Sequence, residues 1–562
     1  MPYLIRAEGV NLSAVLSDTS DLSTIRGGGL MLLEAASELA PDVSKKRSTP
    51  VTVVAKDCKA KSTGASAALL WCGDKSKAKA ALADVRKHLQ GENYKHFTFV
   101  VNALEYDARG KSNGKLMEYQ QAEAAVLAAN RWQQMQAPSL AIPSLTTGKS
   151  NAVCEVDRVR PTFKDDSPFP DNQKKSVSQS VHVRRERGRT LRQDIYPKEM
   201  ERLAETKKAE LEKIAAVKDL EFTDDLHSLA EGYPDAGNLE DKFAVLYMDG
   251  NNFGAIARAC NNDEELNRWD SEIKRLRRTL LLEILLRANA DPRWHFMEKK
   301  EGKNKKLIRL ETLLWGGDEL IFAVPAWLGF PLLDFIFEHT QNWKYGKNDL
   351  THGVGLVFCH VKAPIQRVID LAKRLGEEAK MATGRKQNAV CWLAMESFDH
   401  VGTDFNVFME RRYHKTIGAK HWVLTAGNVN AINANLRQLK ENDFPRSQVM
   451  AGAMSAVHLA SPATSDKSLA KTLKNAYAQV RASAGKAEAS DELLALWNHL
   501  KGVNGEQEKA FPDDFPKVSE NLEHSANAER LSHIAAWVQF AELWDYAGQK
   551  PLVAAPTQGR KS

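Results

Sequence analysis

Two apolar, β-prone runs, 313–315 and 320–324, are separated by only four residues: Gly316, Gly317, Asp318 and Glu319. Runs this short and this close predict a hairpin, and strands apolar on both faces predict a sheet covered by other elements. The glycines suit a tight turn, because glycine reaches φ > 0 without steric cost. The two adjacent carboxylates are either solvated turn residues or ligands. The ligand reading requires a further acid nearby.

That acid stands upstream in "FAVLYMDGNNFGAI". The apolar run predicts a buried strand ending at Asp249. Gly250, Asn251, Asn252, Phe253 and Gly254 then lead into a helix, whose first amides suit a triphosphate. Asp249, Asp318 and Glu319 together are the hard oxygen ligands that a pair of Mg²⁺ or Mn²⁺ ions takes while keeping coordination for substrate phosphates. Gly316 and Gly317 would let a base or ribose lie against the backbone. Lys380, at the end of "IDLAKRLGEEAK", would neutralise phosphates; a lysine serving the helix dipole is the alternative. His352 and His360 flank the strand "GVGLVFC" and read as structural.

Composition narrows the class. The 562 residues are 43% hydrophobic and 27% charged, as expected of a globular chain with a large core. The net charge of +6 is too small to identify a partner. No run is long enough to span a bilayer, and the N-terminus does not read as a signal peptide. The six cysteines are scattered without a C-x-x-C pair. They predict a reduced, cytoplasmic protein without structural zinc.

Four segments emerge. Residues 1–145 alternate strands ("YLIRAEGV", "TPVTVVAK", "AALLWC", "FTFVVNALEY") with helices ("KSKAKAALADVRKHLQ", "KLMEYQQAEAAVLAANRWQQM"). Residues 146–238 hold a stretch poor in periodicity, including "KKSVSQSVHVRRERGRTLR" with seven basic residues against Glu186, and then a charged helix. Residues 239–400 carry strands "KFAVLYMD", "WHFMEKK", "LIRLETLLWGG", "ELIFAVPA", "GVGLVFCHV" and "NAVCWLAME", with helices near 263–289, 326–342 and 364–381. Residues 401–562 lose strand signals and end in a helix with Ile534, Trp537, Val538, Ala541 and Trp544 at helical spacing. The last ten residues read as a disordered tail.

The ordered motifs "YMDGNNFG", "WGGDEL", "HGVGLVFCHVKAPIQRVIDLAKRLGEEAK" and "NAVCWLAM" resemble the nucleotidyl-cyclase palm. That palm is shared by GGDEF diguanylate cyclases and the large subunit of type III CRISPR effector complexes. Both resemblances imply a ferredoxin-like βαββαβ core and nucleoside triphosphate chemistry. The N-terminus favours the second family. "IRAEGVNLSAV" parallels "LYMDGNNFGAI", and "ALLWCGDK" parallels "TLLWGGDE", setting Glu8 opposite Asp249 and Asp74 opposite Asp318. The spacings are 66 and 69 residues, and Lys75 replaces Glu319 in the first copy. "SDLSTIRGGGLMLLEA" is also similar to that family's first palm. The expected class is therefore α+β: a degenerate palm, a catalytic palm and a helical C-terminal domain.

What the resemblance implies is a metal-dependent cyclase, with Mg²⁺ or Mn²⁺ as cofactor, that joins ATP into a cyclic oligoadenylate messenger in antiviral defence. Guide RNA, target RNA and other effector subunits are the implied partners; the scattered cysteines argue against the zinc module that the family usually carries, and no membrane is expected. The chain departs from the family in having no His-Asp dipeptide and Glu319 where aspartate is usual. It also keeps only Cys154 of the cysteines between the palms. The GGDEF feedback motif Arg-x-x-Asp is missing, with Leu307 and Leu310 at its places. Two readings compete: a diguanylate cyclase using GTP, and a non-catalytic scaffold whose basic loop 174–192 contacts RNA phosphates.

Overall fold

A computed structural model describes residues 1–39, 54–64, 66–107, 118–137, 152–169, 173–223, 225–300, 303–395, 407–409, 422–444, 446–459 and 538–553. The chain is α+β and divides into two compact units. The first comprises residues 1–219, 252–285 and 312–320. The second comprises 220–251, 286–311 and 321–562.

In the first unit β1 (Tyr3–Val10), β2 (Cys58–Thr63), β3 (Ala67–Cys72) and β4 (Thr98–Glu105) form a sheet in the order β2-β3-β1-β4. β1 pairs antiparallel with both β3 and β4. Between β1 and β2 come the short α1 (Ser13–Leu16) and α2 (Leu22–Glu38), the latter capped by Asp21, whose carboxylate accepts from Thr24 N at 2.9 Å. α3 (Lys75–Leu89) and α4 (Tyr119–Gln136) follow β3 and β4. Ile5, Met31, Leu70 and Val85 are buried in the core these elements share. Strands "YLIRAEGV", "AALLWC" and "FTFVVNALEY" fall where alternation places them. "TPVTVVAK" lies mostly outside the described residues, and β2 begins just beyond it.

Two expectations fail in this unit. Cys58 and Cys72 are direct cross-strand neighbours, 4.6 Å apart at Cα, and form a disulfide. Sequence spacing hides this pairing, because only the β2–β3 register brings the two residues together. The basic stretch is no loop either. It folds as β6 (Lys174–Val177), which pairs with β5 (Lys164–Pro168), and the start of a long helix, α5 (Gln179–Thr206). Two of its arginines turn inward: Arg184 is fully buried and forks onto Asp18, at 3.0 and 2.8 Å, and Asp18 also takes Arg160 at 2.5 Å. Arg185 is buried against the Phe169 ring. Buried ion pairs mask the 3.6-residue apolar pattern on which helix recognition depends.

The glycine run Gly27–Gly29 lets α5 cross α2 backbone to backbone. A Cβ on Gly27 would lie 1.8 Å from Arg184 O, and one on Gly188 would lie 1.9 Å from Ser23 O. After α5 come α6 (Leu211–Ala215), β7 (Glu221–Phe222) and α7 (Leu226–Ala230).

The strands that matter most for function are β8 (Lys242–Gly250), β11 (Glu311–Trp315), β12 (Glu319–Pro325), β15 (His352–His360), β16 (Ala389–Met395) and β17 (Val423–Thr425). Their order is β11-β12-β8-β15-β16-β17. β15 is antiparallel to β8 and parallel to β16. α8 (Phe253–Arg258) and α9 (Asp263–Ala290) separate β8 from β9 (His295–Lys300) and β10 (Lys303–Ile308), which pair in a sheet with β7. "LIRLETLLWGG" was expected as one strand but breaks at Arg309. That side chain is buried, and its guanidinium donates to Ser228 O and Leu229 O, both at 3.0 Å. β10 and β11 therefore belong to different sheets.

α10 (Gly329–Thr340), the small hairpin β13 (Lys344–Tyr345) and β14 (Asn348–Asp349), and α11 (Ile365–Ala382) complete the second unit's α/β part. Beyond it, α12 (Ala426–Glu441), α13 (Arg446–Leu459) and a helical stretch at 538–546 agree with a helical C-terminus. β17 is an addition that fading strand signals did not foretell. Val538, Ala541 and Trp544 are buried as expected, whereas Ile534, Trp537 and the last nine residues lie outside the described residues.

The two sheets share one plan. β2-β3-β1-β4 repeats β11-β12-β8-β15, with a helical segment after the first strand in chain order and another after the third. This bears on the proposed duplication. Glu8–Gly9 near the end of β1 matches Asp249–Gly250 at the end of β8. The second match does not hold, because "ALLWC" forms β3, the counterpart of β12, whereas "TLLW" forms β11. Asp74 follows its strand and caps α3, accepting from Lys77 N at 2.9 Å. The counterpart of the Gly316–Glu319 turn is the β2–β3 turn at Gly64, whose N–H donates to Ala67 O at 2.7 Å.

Candidate functional site

Asp249 occupies the penultimate position of β8, opposite Gly353 of β15. Its carboxylate accepts from Lys380 Nζ, which reaches it from the last turn of α11. The lysine is almost wholly buried, and Asp249 keeps 18% of its side chain exposed. Packing makes this reach possible. A Cβ on Gly353 would lie 2.3 Å from Lys380 Cγ, and one on Gly355 only 1.8 Å from Ala372 O. A Cβ on Gly376 would strike the Tyr247 ring at 2.8 Å. The three glycines set α11 against β15 and β8 at backbone distance, so Lys380 lies along the sheet instead of projecting into water. The helix-dipole alternative for Lys380 therefore gives way to a specific ion pair.

The loop after Asp249 is half structural. Asn251 is buried, donating to Thr351 Oγ1 at 2.9 Å and to Gln387 O at 3.3 Å. Asn252 is exposed and left-handed, with φ of 61°, and precedes α8. Phe253 is buried with its ring edge-on to Trp269, at 5.4 Å. Gly254 is exposed. Gly250 is buried at the end of β8, opposite His352, so Asn252 and Gly254 are the exposed positions of this loop.

Gly316 N donates to Glu319 O at 2.9 Å, closing the tight β11–β12 turn with Gly317 and Asp318 at its tip. Neither glycine has positive φ, so the conformational reason for them does not apply. A Cβ on Gly317 would meet nothing closer than Gly64 Cα, at 3.9 Å. Among the described residues, neither backbone strain nor packing requires glycine at 317. Asp318 and Glu319 are partly exposed. β12 lies beside β8 in the sheet order, so the strand opening with Glu319 neighbours the strand that ends at Asp249–Gly250.

Sequence reasoning missed Arg277. It stands within α9, buried, and its guanidinium donates to Gly316 O and, at 3.0 Å, to Gly317 O. Its plane lies over the Trp315 ring at 4.8 Å. Burial pulls its pKa down to about 10, opposed by Glu199. Glu199 of α5 is itself buried and binds Arg278 at 2.9 Å and Arg202. Burial opposes ionisation of Glu199, but these arginines outweigh it and hold the carboxyl far below the usual range. Nothing in "KRLRRTLLLEILL" separates Arg277 from its neighbours; only the fold shows which arginine faces the turn.

His352 is structural, as expected. Its N–H donates to Asn388 Oδ1 at 2.7 Å, and burial lowers its pKa to about 4. His360 Nδ1 accepts from Lys362 N at 3.1 Å. The first unit's Glu8 is neutralised by Arg131 at 2.7 Å and Arg6 at 3.3 Å.

Among the described residues no group of three His, Cys, Asp or Glu side chains is close enough to hold a metal ion. The donors fit Mg²⁺ or Mn²⁺ in chemistry, since all three acids offer hard oxygens. Asp249 already holds one cation, the Lys380 ammonium.

No family model matches the sequence, and neither does any curated protein. Solved structures do match. A crystal structure of a Csm1–Csm4 cassette with cA4 is 13% identical with a TM-score of 0.43, covering 97% of this chain and 70% of that one. Csm1 in T. onnurineus gives 13%, 0.43, 96% and 69%. An apo type III-B Cmr-beta structure gives 10%, 0.48, 98% and 82%. The structural neighbours are thus subunits of type III CRISPR complexes, whereas no likeness to GGDEF proteins is shown. With TM-scores below 0.5 these likenesses carry no argument about the chemistry. No helix among the described residues is long and apolar enough to cross a membrane.

Proposed function

We propose that the chain is a metal-dependent nucleotidyl cyclase that converts ATP to a cyclic oligoadenylate. The observation that carries this reading is the strand order, which sets β12, opening at the Gly-Gly-Asp-Glu turn, beside β8, ending at Asp249–Gly250. Gly317 adds support, because a glycine that no neighbour among the described residues requires is suited to close approach by a ligand.

In this mechanism Asp249, Asp318 and Glu319 are the residues that would hold divalent ions, which would supply charge stabilisation for the triphosphate, at its α-phosphate and leaving pyrophosphate. Lys380 balances Asp249 and lies close enough to that carboxylate to share its charge with a phosphate. The exposed loop positions Asn252 and Gly254 would face the triphosphate, and Gly316 and Gly317 would leave room for base or ribose. The 3′-hydroxyl of one ATP attacks the α-phosphorus of another. A P–O bond forms, the α–β bridge breaks, pyrophosphate departs and the hydroxyl proton passes to solvent. Repetition and ring closure complete the product.

Adenine preference, a role in antiviral defence, and guide RNA, target RNA and other effector subunits as partners rest on the sequence resemblance. In the scaffold alternative, Arg184 and Arg185 are buried, whereas Lys174 and Arg189 of the basic segment stay exposed. The test is incubation with Mg²⁺ or Mn²⁺ and each nucleoside triphosphate separately, with products read by mass spectrometry. A cyclic oligoadenylate made by the wild type and not by an Asp318→Ala, Glu319→Ala double variant supports the reading. Cyclic di-GMP, or product from both proteins, overturns it.

A further inference from the structure

We propose that Arg277 is the positioning residue of the Gly316–Gly317 turn, fixing the backbone that carries Asp318, while Glu199 of α5 binds the neighbouring Arg278. As a statement about catalysis, this rests on the cyclase reading above.

A hydrogen bond from Gly316 N to Glu319 O closes the turn. Two of its carbonyls, Gly316 O and Gly317 O, accept from one Arg277 nitrogen. A planar guanidinium stacked on Trp315 cannot follow a peptide flip, so both carbonyls keep one direction. A lysine could offer the charge but neither the plane nor the stack. Arg277 is buried in α9 with Nε unpaired, so its position depends on its surroundings. Those surroundings are ionic: Glu199 stands among Arg277, Arg278 and Arg202. Glu199 belongs to α5, which the glycine crossing at Gly27 and Gly188 locks onto α2. The turn is thereby tied through side chains to the first unit's helices. A cavity of about 420 Å³, lined in part by Arg277, Arg278, Lys274, Glu199, Asn267 and Gly317, opens beside the guanidinium.

That cavity supplies the test. Arg277→Ala, Arg277→Lys and the wild type are compared in two assays. The first is amide hydrogen exchange of peptides spanning 313–320, which needs no turnover. Both variants are expected to exchange at least about tenfold faster there, with exchange in β15 and β16 unchanged. Added guanidinium should restore protection to Arg277→Ala by entering the vacated space, and should do nothing to Arg277→Lys. The second assay is triphosphate turnover, where a misplaced ligand should lower kcat by about 100-fold with KM within about twofold. Unchanged exchange at 313–320 in both variants overturns the proposal, whatever the turnover. Restored protection without turnover by the wild type keeps the positioning role and refutes the cyclase reading instead. A uniform rise in exchange across β15 and β16 would mark Arg277 as a general core residue and also overturn the proposal.

Discussion

Substituting Gly355 by alanine tests how the sheet positions Lys380. The new Cβ would stand 1.8 Å from Ala372 O, a backbone atom that no rotamer change can remove. Restoring an ordinary contact of at least 3.4 Å requires α11 to move from β15 by roughly 1.6 Å. Overpacking of this kind costs about 1–3 kcal/mol. For a unit of this size that is a fall in Tm of roughly 2–10 °C. The same shift withdraws Lys380 from Asp249, because the lysine rides on the moved helix. A displacement beyond 1 Å in a group that orders the reacting atoms costs about 100-fold in turnover. Thermal melting and the nucleotide assay are run on the same preparation. The structural reasoning is refuted if Gly355→Ala melts and turns over like the wild type. Gly427→Ala is the control, since its Cβ would meet nothing within 4 Å.

Three further outcomes are expected. Lys380→Met leaves the Asp249 carboxylate without its buried cation, so Tm should fall and the KM for triphosphate should rise about tenfold or more; an unchanged KM removes Lys380 from the nucleotide site. Asp18→Ala strips the shared carboxylate from the buried Arg160 and Arg184, and denaturant unfolding should show a loss of about 3–5 kcal/mol. His96 is buried, and burial, with Arg184, Lys95 and Arg160, lowers its pKa from 6.5 to about 4. Its contribution to stability is complete above pH 6.5 and is lost as pH falls toward 4, so at pH 5 the loss is about 2 kcal/mol. His96→Leu should flatten that part of the acid limb, and unfolding curves at pH 7.5 and pH 5 check it.

The legible parts of this fold are those governed by local pattern. β1, β8, β12, β15 and β16 are apolar runs bounded by polar or glycine residues, and α9 and α11 carry clear helical periods. Asp249 at the end of its strand and the Gly-Gly-Asp-Glu turn between two strands could likewise be placed from the chain alone. What stayed hidden depends on partners far apart in sequence. Arg309 splits an apparent strand because its guanidinium has carbonyls to reach in another segment. Arg184 lies inside a helix, where periodicity counts it as a surface charge. Asp74 mimicked Asp318 because a helix cap and a ligand turn can share the letters Gly-Asp. Arg277 and Glu199 were invisible, since a buried ion network has no spacing rule. Phe253 and Asn251 show the converse, because they are spent on packing and buried hydrogen bonds respectively.

The central claim is that Asp249 and the Asp318–Glu319 turn hold one pair of divalent ions around a triphosphate. The measurement that tests it most directly is a Mn²⁺ titration, followed by electron paramagnetic resonance, in the presence of a non-hydrolysable ATP analogue. The account predicts two spin-coupled ions per chain in the wild type, with the coupled signal lost in both Asp249→Ala and Asp318→Ala. Uncoupled binding in the wild type, or the same coupled signal in either variant, would contradict it.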